Sequence, residues 1–131
     1  MYDLVDHTAD IKVVIRSSDL AGLYASAVAM MREVLVGRSS VRDERTVTVP
    51  PDGDDPGERF YRFVRELVYL ADTDHFVPHR LVTMDPPTVL GDTFDAHRHT
   101  FEHAPKAVTR HQYVFAFDDT EGCRAEMVLD L

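Results

Sequence analysis

A single cysteine, Cys123, among 131 residues excludes an intrachain disulfide and a cysteine-caged zinc site. Beside Gly122 it reads as a small strand residue. Basic side chains are also scarce: 14 Lys and Arg stand against 23 Asp and Glu, for a net charge of −9. A phosphate backbone is gripped by clustered cations, so direct general binding of nucleic acid is excluded, and any RNA is expected only through a partner. No apolar run approaches the ~20 residues of a membrane span, and no basic segment leads into an apolar stretch at the N-terminus. A cytoplasmic protein with no membrane contact is expected. HExxH, a nucleophile elbow and a Gly-rich phosphate loop are missing as well, and nothing identifies a bond-breaking apparatus.

What is present suits one compact domain over residues 1–131, with 44% hydrophobic content. Such a chain buries on the order of two-thirds of its unfolded surface. Residues 2–5 and 11–16 read as an early strand pair. Ser18 or Asp19 then caps a helix in which Leu20, Leu23, Tyr24, Ala27, Met31, Val34 and Leu35 recur at helical spacing, and Gly37 stops it. The Met30-Met31 pair reads as core. Residues 44–49 alternate as a strand, and residues 50–57 form a Pro/Gly-rich acidic connection.

A second amphipathic helix is expected over 58–71, with Phe60, Phe63, Val64, Leu67 and Ala71 buried and Arg59, Arg62, Arg65 and Glu66 solvated. Short strands follow at 79–84, 88–94, 112–117 and 123–130. The separators are Asp85-Pro86-Pro87, Gly91-Asp92 and a hairpin turn over 118–122. The order predicts a two-layer α+β domain, a largely antiparallel sheet packed against two helices.

The ends of the chain carry the most pointed chemistry. Asp10 immediately precedes a strand, and Asp130 closes one, just before the terminal Leu131. Folding can bring the two Asp side chains and the Leu131 α-carboxylate to one sheet edge. Three oxygen anions there suit a hard divalent cation, Ca²⁺, Mg²⁺ or Mn²⁺. On that expectation, the stop at Leu131 is part of the site.

Two further features compete for attention. His7 precedes Asp10, and His97, His99, His103 and His111 cluster along one stretch, the residue types of a small metal-dependent hydrolase. The latter group reads as a His-rich surface loop in preference to a hydrolase site. Lys106 enters a strand region after Ala104-Pro105, either as an ordinary exposed lysine or as a charge aimed at a phosphate or a partner's carboxylate. A metal-stabilised protein-interaction module is the third alternative.

Five segments resemble the archease family in order and across the whole chain. They are Asp6-His7-Thr8-Ala9-Asp10-Ile11, the helix from Leu20 with Ala25, Ala27 and Ala29, Leu67-Val68-Tyr69-Leu70-Ala71-Asp72, Lys106-Ala107-Val108-Thr109 with His111, and the terminal Leu129-Asp130-Leu131. The resemblance implies an archease-like fold and a protein cofactor, not an enzyme. Archeases assist RtcB-type RNA ligases in tRNA splicing and RNA repair, promoting guanylylation of the ligase and its repeated turnover. It further implies a divalent-cation site at Asp10, Asp130 and the Leu131 carboxylate, and a role for Lys106 in activation. Lys12 and Arg110 depart from the pattern, standing where a glycine and an aromatic are common.

Overall fold

The computed structural model describes residues 1–6, 10–118 and 120–131. Strands β1 (Tyr2–Asp6) and β2 (Asp10–Ser17) precede helix α1 (Leu20–Val36) and strand β3 (Arg45–Thr48). Helix α2 (Pro56–Asp74) is followed by β4 (Phe76–Met84), β5 (Pro87–Thr93), β6 (Ala107–Asp118) and β7 (Gly122–Asp130). The expected α+β class holds, with every described pairing antiparallel. The strands divide into two sheets, however, ordered β1-β2-β7-β6 and β3-β5-β4. Helix α1 bridges them, packing on β2 and β7 of the larger sheet and on β4 of the smaller.

Local chemistry sets the helix ends. Asp19, not Ser18, caps α1: its carboxylate accepts the Gly22 N–H at 2.8 Å. Gly37, at φ 59°, closes the helix with its N–H on the Glu33 carbonyl. Helix α2 starts two residues earlier than its apolar stripe indicates. Asp55 caps it by accepting the Glu58 N–H at 2.9 Å, and Pro56 occupies the first turn, where a missing N–H costs nothing. The helix runs on to Asp74, ending at His75 in the left-handed region. Two tyrosine hydroxyls then fasten α2 to β6, the buried Tyr61 donating to the Val108 carbonyl and the half-buried Tyr113 to that of Gly57, both at 2.6 Å.

The later strands are longer than their sequence patterns. Strand β4 begins at Phe76 and tolerates Pro78 because it is an edge strand, with no N–H required on its open side. Strand β6 begins at Ala107, and its pairing with β7 is interrupted between Thr109 and Val114, where Gln112 sits at φ 68°. That irregularity breaks the period-two pattern and hides residues 107–111 from a sequence reading. The hairpin turn forms where expected, with Asp118 facing Gly122; Asp119 lies outside the described residues.

Gly91-Asp92 is not a separator but the interior of β5. A Cβ at Gly91 would run into the Val77 carbonyl oxygen and the Phe76 ring, 2.7 Å away, so only glycine lets β4 and β5 close. One contiguous core joins the layers through Phe60, Phe63, Phe76, Leu23, Met30 and Met127, all fully buried. Each large apolar side chain of this kind contributes roughly 1.5–3 kcal/mol by leaving water. Cys123 is buried in the same core. Among the described residues no helix is long and apolar enough to cross a membrane. Gly91→Ala is expected to lower the unfolding free energy by about 1–3 kcal/mol, measured by urea titration, because a backbone carbonyl cannot move aside.

Candidate functional site

Strand β2 buries Ile11, Val13 and Ile15, and β7 buries Ala125, Met127 and Leu129. Alternation therefore sends Asp10, Lys12, Glu126 and Asp130 to the opposite face of the sheet. In the antiparallel register Asp10 lies directly across from Asp130, and Asp130 in turn across from Ala107 of β6. Directly opposed residues share a face with Cβ atoms about 5 Å apart. Two like charges so placed repel, and neither carboxylate is in an ion pair or side-chain hydrogen bond with a described residue. The nearby Lys12 pairs with Glu126 at 3.8 Å.

Leu131 and Lys106 flank this row. The Leu131 side chain packs against the core, which fixes the last residue beside Asp130. The Lys106 N–H donates to the Asp130 carbonyl at 2.6 Å, and its side chain is exposed. Four expected site residues, Asp10, Lys106, Asp130 and Leu131, thus meet at one end of three adjacent strands. Asp10 and Asp130 offer hard oxygens suited to a divalent cation. Among the described residues no three His, Cys, Asp or Glu side chains converge on a point. His7 lies outside the described residues.

The histidine cluster does not assemble. His97 and His111 are exposed, and His103 is half-buried. His99 is 4% exposed, which corrects the expectation of a histidine-rich surface loop. His99-Thr100-Phe101-Glu102-His103 has the HxxEH order, a spacing missed in the sequence. It works as a zinc motif only where a helix turns both histidines to one face. Here the segment is irregular. The His99 Nδ1 accepts the Asp95 N–H at 2.9 Å, and its ring packs 5.7 Å from Phe94.

A buried charge pair holds this segment down. Asp92 is fully buried and accepts two hydrogen bonds from Arg98, at 2.7 and 3.2 Å, together with the N–H groups of Arg42 and Thr93. The His99 Nε2 lies 3.4 Å from the same carboxylate, but off line for a hydrogen bond. The Arg98 hydrogen bonds, helped by the two backbone donors, hold the Asp92 carboxyl well below the usual carboxylate range despite burial. Nothing local in the sequence marks Asp92, since Arg98 and Arg42 reach it from outside its own strand. Arg110 is likewise committed: it forks onto Glu58 and stacks over the Tyr61 ring at 4.1 Å. The Arg110 hydrogen bonds, with those of Arg62, pull the Glu58 carboxyl down to about 2.

Comparison with known proteins follows the same geometry. Residues 2–131 match the sequence pattern of the Archease protein family. A Protein archease of Archaeoglobus fulgidus is 31% identical over 138 residues, covering 99% of this chain and 98% of the relative. Another, from Sulfolobus acidocaldarius, is 24% identical over 90% of each chain. Two solved structures share the fold at a TM-score of 0.71. One is Methanobacterium thermoautotrophicum protein 1598, at 22% identity and covering 99% of this chain and 98% of its own. The other, from Thermotoga maritima, is described as an archease and possible chaperone, at 19% identity and covering 97% of this chain and 94% of its own.

Asp92 contributes stability that is complete above its unfolded pKa of about 4 and is lost as pH falls toward the lower folded value. Asp92→Asn is expected to cost about 3 kcal/mol at pH 7. The gap to wild type should narrow below about pH 4 in denaturant titrations across pH.

Proposed function

The chain belongs to the archease family, and from that premise we propose that it activates an RtcB-type RNA ligase in the cytoplasm, promoting ligase guanylylation and multiple turnover in tRNA splicing and RNA repair. It acts as a protein cofactor and leaves the bond chemistry to the ligase. RNA is reached only through that partner. The observation that carries the reading is the opposition of Asp10 and Asp130 across β2 and β7, beside Leu131 and Lys106.

Two carboxylates on an open sheet face form a partial coordination shell. Mg²⁺-type sites are commonly built from one or two carboxylates, with water and substrate phosphates filling the remainder. Asp10 and Asp130, with the Leu131 α-carboxylate, would hold a divalent cation on this protein, its remaining coordination left to the ligase and its nucleotide. A divalent cation bound there supplies positive charge against the anion developing on the α-phosphate during guanylyl transfer. Lys106, exposed beside Asp130, presents a second positive charge to the phosphates or to a carboxylate of the ligase. The net charge of −9 favours encounter with a basic partner. Ca²⁺ and Mn²⁺ suit the same oxygens.

Asp10→Ala and Asp130→Ala are expected to abolish stimulation of GTP-dependent guanylylation in an assay with purified ligase, and full stimulation by both would sink the reading. A readout on the protein alone complements it. In chelator, Asp130→Asn should raise stability by about 0.5 kcal/mol through relief of cross-strand repulsion. The stabilisation of wild type by millimolar CaCl₂ should vanish in that variant. Extending the chain past Leu131 converts the α-carboxylate to an amide and should weaken both the calcium response and stimulation.

A further inference from the structure

An open apolar cleft lies apart from the row of carboxylates and takes no part in holding a cation. It encloses about 360 Å³ and is walled by Leu35 of α1, Phe76 and Val77 of β4, and Phe94, Phe101 and Pro105 of the segment leading to β6. Phe101 is 61% exposed. It is nonetheless held in place, with its ring edge-on to Phe94 at 6.3 Å. The next two residues are tied to α1: Glu102 donates its N–H to the Leu35 carbonyl at 2.9 Å and His103 to that of Val34 at 3.1 Å. An exposed aromatic already fixed in position loses little conformational freedom when a partner covers it, which is the usual character of an interface anchor.

The rim of the cleft has a sign. Ala71, Asp72 and His75 at the C-terminal end of α2 border it. The last turn of α2 holds no basic residue, and of its two aspartates Asp74 is paired with Arg45 at 3.3 Å. Asp72 has no such pairing among the described residues and adds to the negative end of the helix dipole. That potential favours an incoming cation. Position matters too, because Pro105 directly precedes Lys106, whose N–H is bound to Asp130. The cleft therefore ends one residue from the proposed activation site.

We propose that this cleft receives a bulky apolar side chain flanked by Lys or Arg, carried on a protruding segment of the RtcB-type ligase. The proposal rests on the partner assigned above. The cleft supplies docking affinity, while Asp10, Asp130 and Lys106 supply the effect on guanylylation. These two contributions separate experimentally.

Affinity for the purified ligase is measured by calorimetry, alongside guanylylation rate, for wild type, Phe101→Ala and Asp72→Lys. Phe101→Ala should weaken binding at least tenfold and Asp72→Lys about threefold to tenfold, with both variants keeping the wild-type calcium response in thermal unfolding. At saturating Phe101→Ala the guanylylation rate should return to the wild-type maximum. A photo-crosslinking phenylalanine analogue at position 101 should capture an apolar ligase residue within two positions of a Lys or Arg. Unchanged affinity in both variants overturns the proposal, as does a crosslink between two copies of this chain or to a ligase segment without a basic residue. If wild type stimulates the ligase while Phe101→Ala binds equally well, the cleft assignment alone falls. If wild type neither binds nor stimulates it, the partner assignment falls and takes the cleft with it.

Discussion

The register between β2 and β7 governs everything at the candidate site. Ile11, Val13 and Ile15 must face Ala125, Met127 and Leu129 inside the core, because a slip of one residue would turn the three apolar side chains of one strand toward water. That burial costs the molecule a local electrostatic penalty. With the inner face settled, Asp10 and Asp130 have no choice but to stand opposite each other on the outer face. Hydrophobic burial holds the two like charges together against their repulsion, the arrangement on which the proposed cation site rests.

A second constraint positions the segment between β5 and β6. This stretch contains no regular structure from Phe94 to Lys106, yet it carries Phe101 and delivers Lys106 to the end of β7. Its anchor is the buried Asp92 with Arg98, reinforced by the His99 ring against Phe94. A buried pair of this kind adds little net stability over an apolar substitute, but losing one partner leaves a charge stranded. Its value here is in specifying one path for an irregular chain. Arg110 plays a related part on β6, where Glu58 and Tyr61 of α2 engage it and tie the strand to the helix.

Membership in the archease family places the fold and the site in one frame. Asp10 and Asp130 share the outer face of the larger sheet, and Phe101 stands exposed on an anchored segment elsewhere. Both features look outward. The proposed role, completing another protein's active site, asks for acids on an outer face, whereas a self-contained enzyme would enclose its acids and exclude water around them. Lys12, the departure nearest the carboxylates, pairs with Glu126.

The sequence by itself determined the α+β class, both helices and their buried stripes, a cap at Ser18 or Asp19 and the stop at Gly37, because each depends on side-chain period or on neighbours within four residues. It also marked Asp10, Asp130, Leu131 and Lys106, through position in the chain and through family resemblance. Tertiary structure alone decided the division into two sheets, the strand character of Gly91-Asp92 and of residues 107–111, and the burial of His99. Gly91 looks like a turn residue until the Phe76 ring and Val77 carbonyl arrive beside it. Asp92 looks like a solvated acid until Arg98 folds back onto it. In each case the deciding partner comes from another element or from outside the regular strands. Local pattern cannot express a contact of that kind, and the pairing of Asp10 with Asp130 across the full length of the chain is its extreme case.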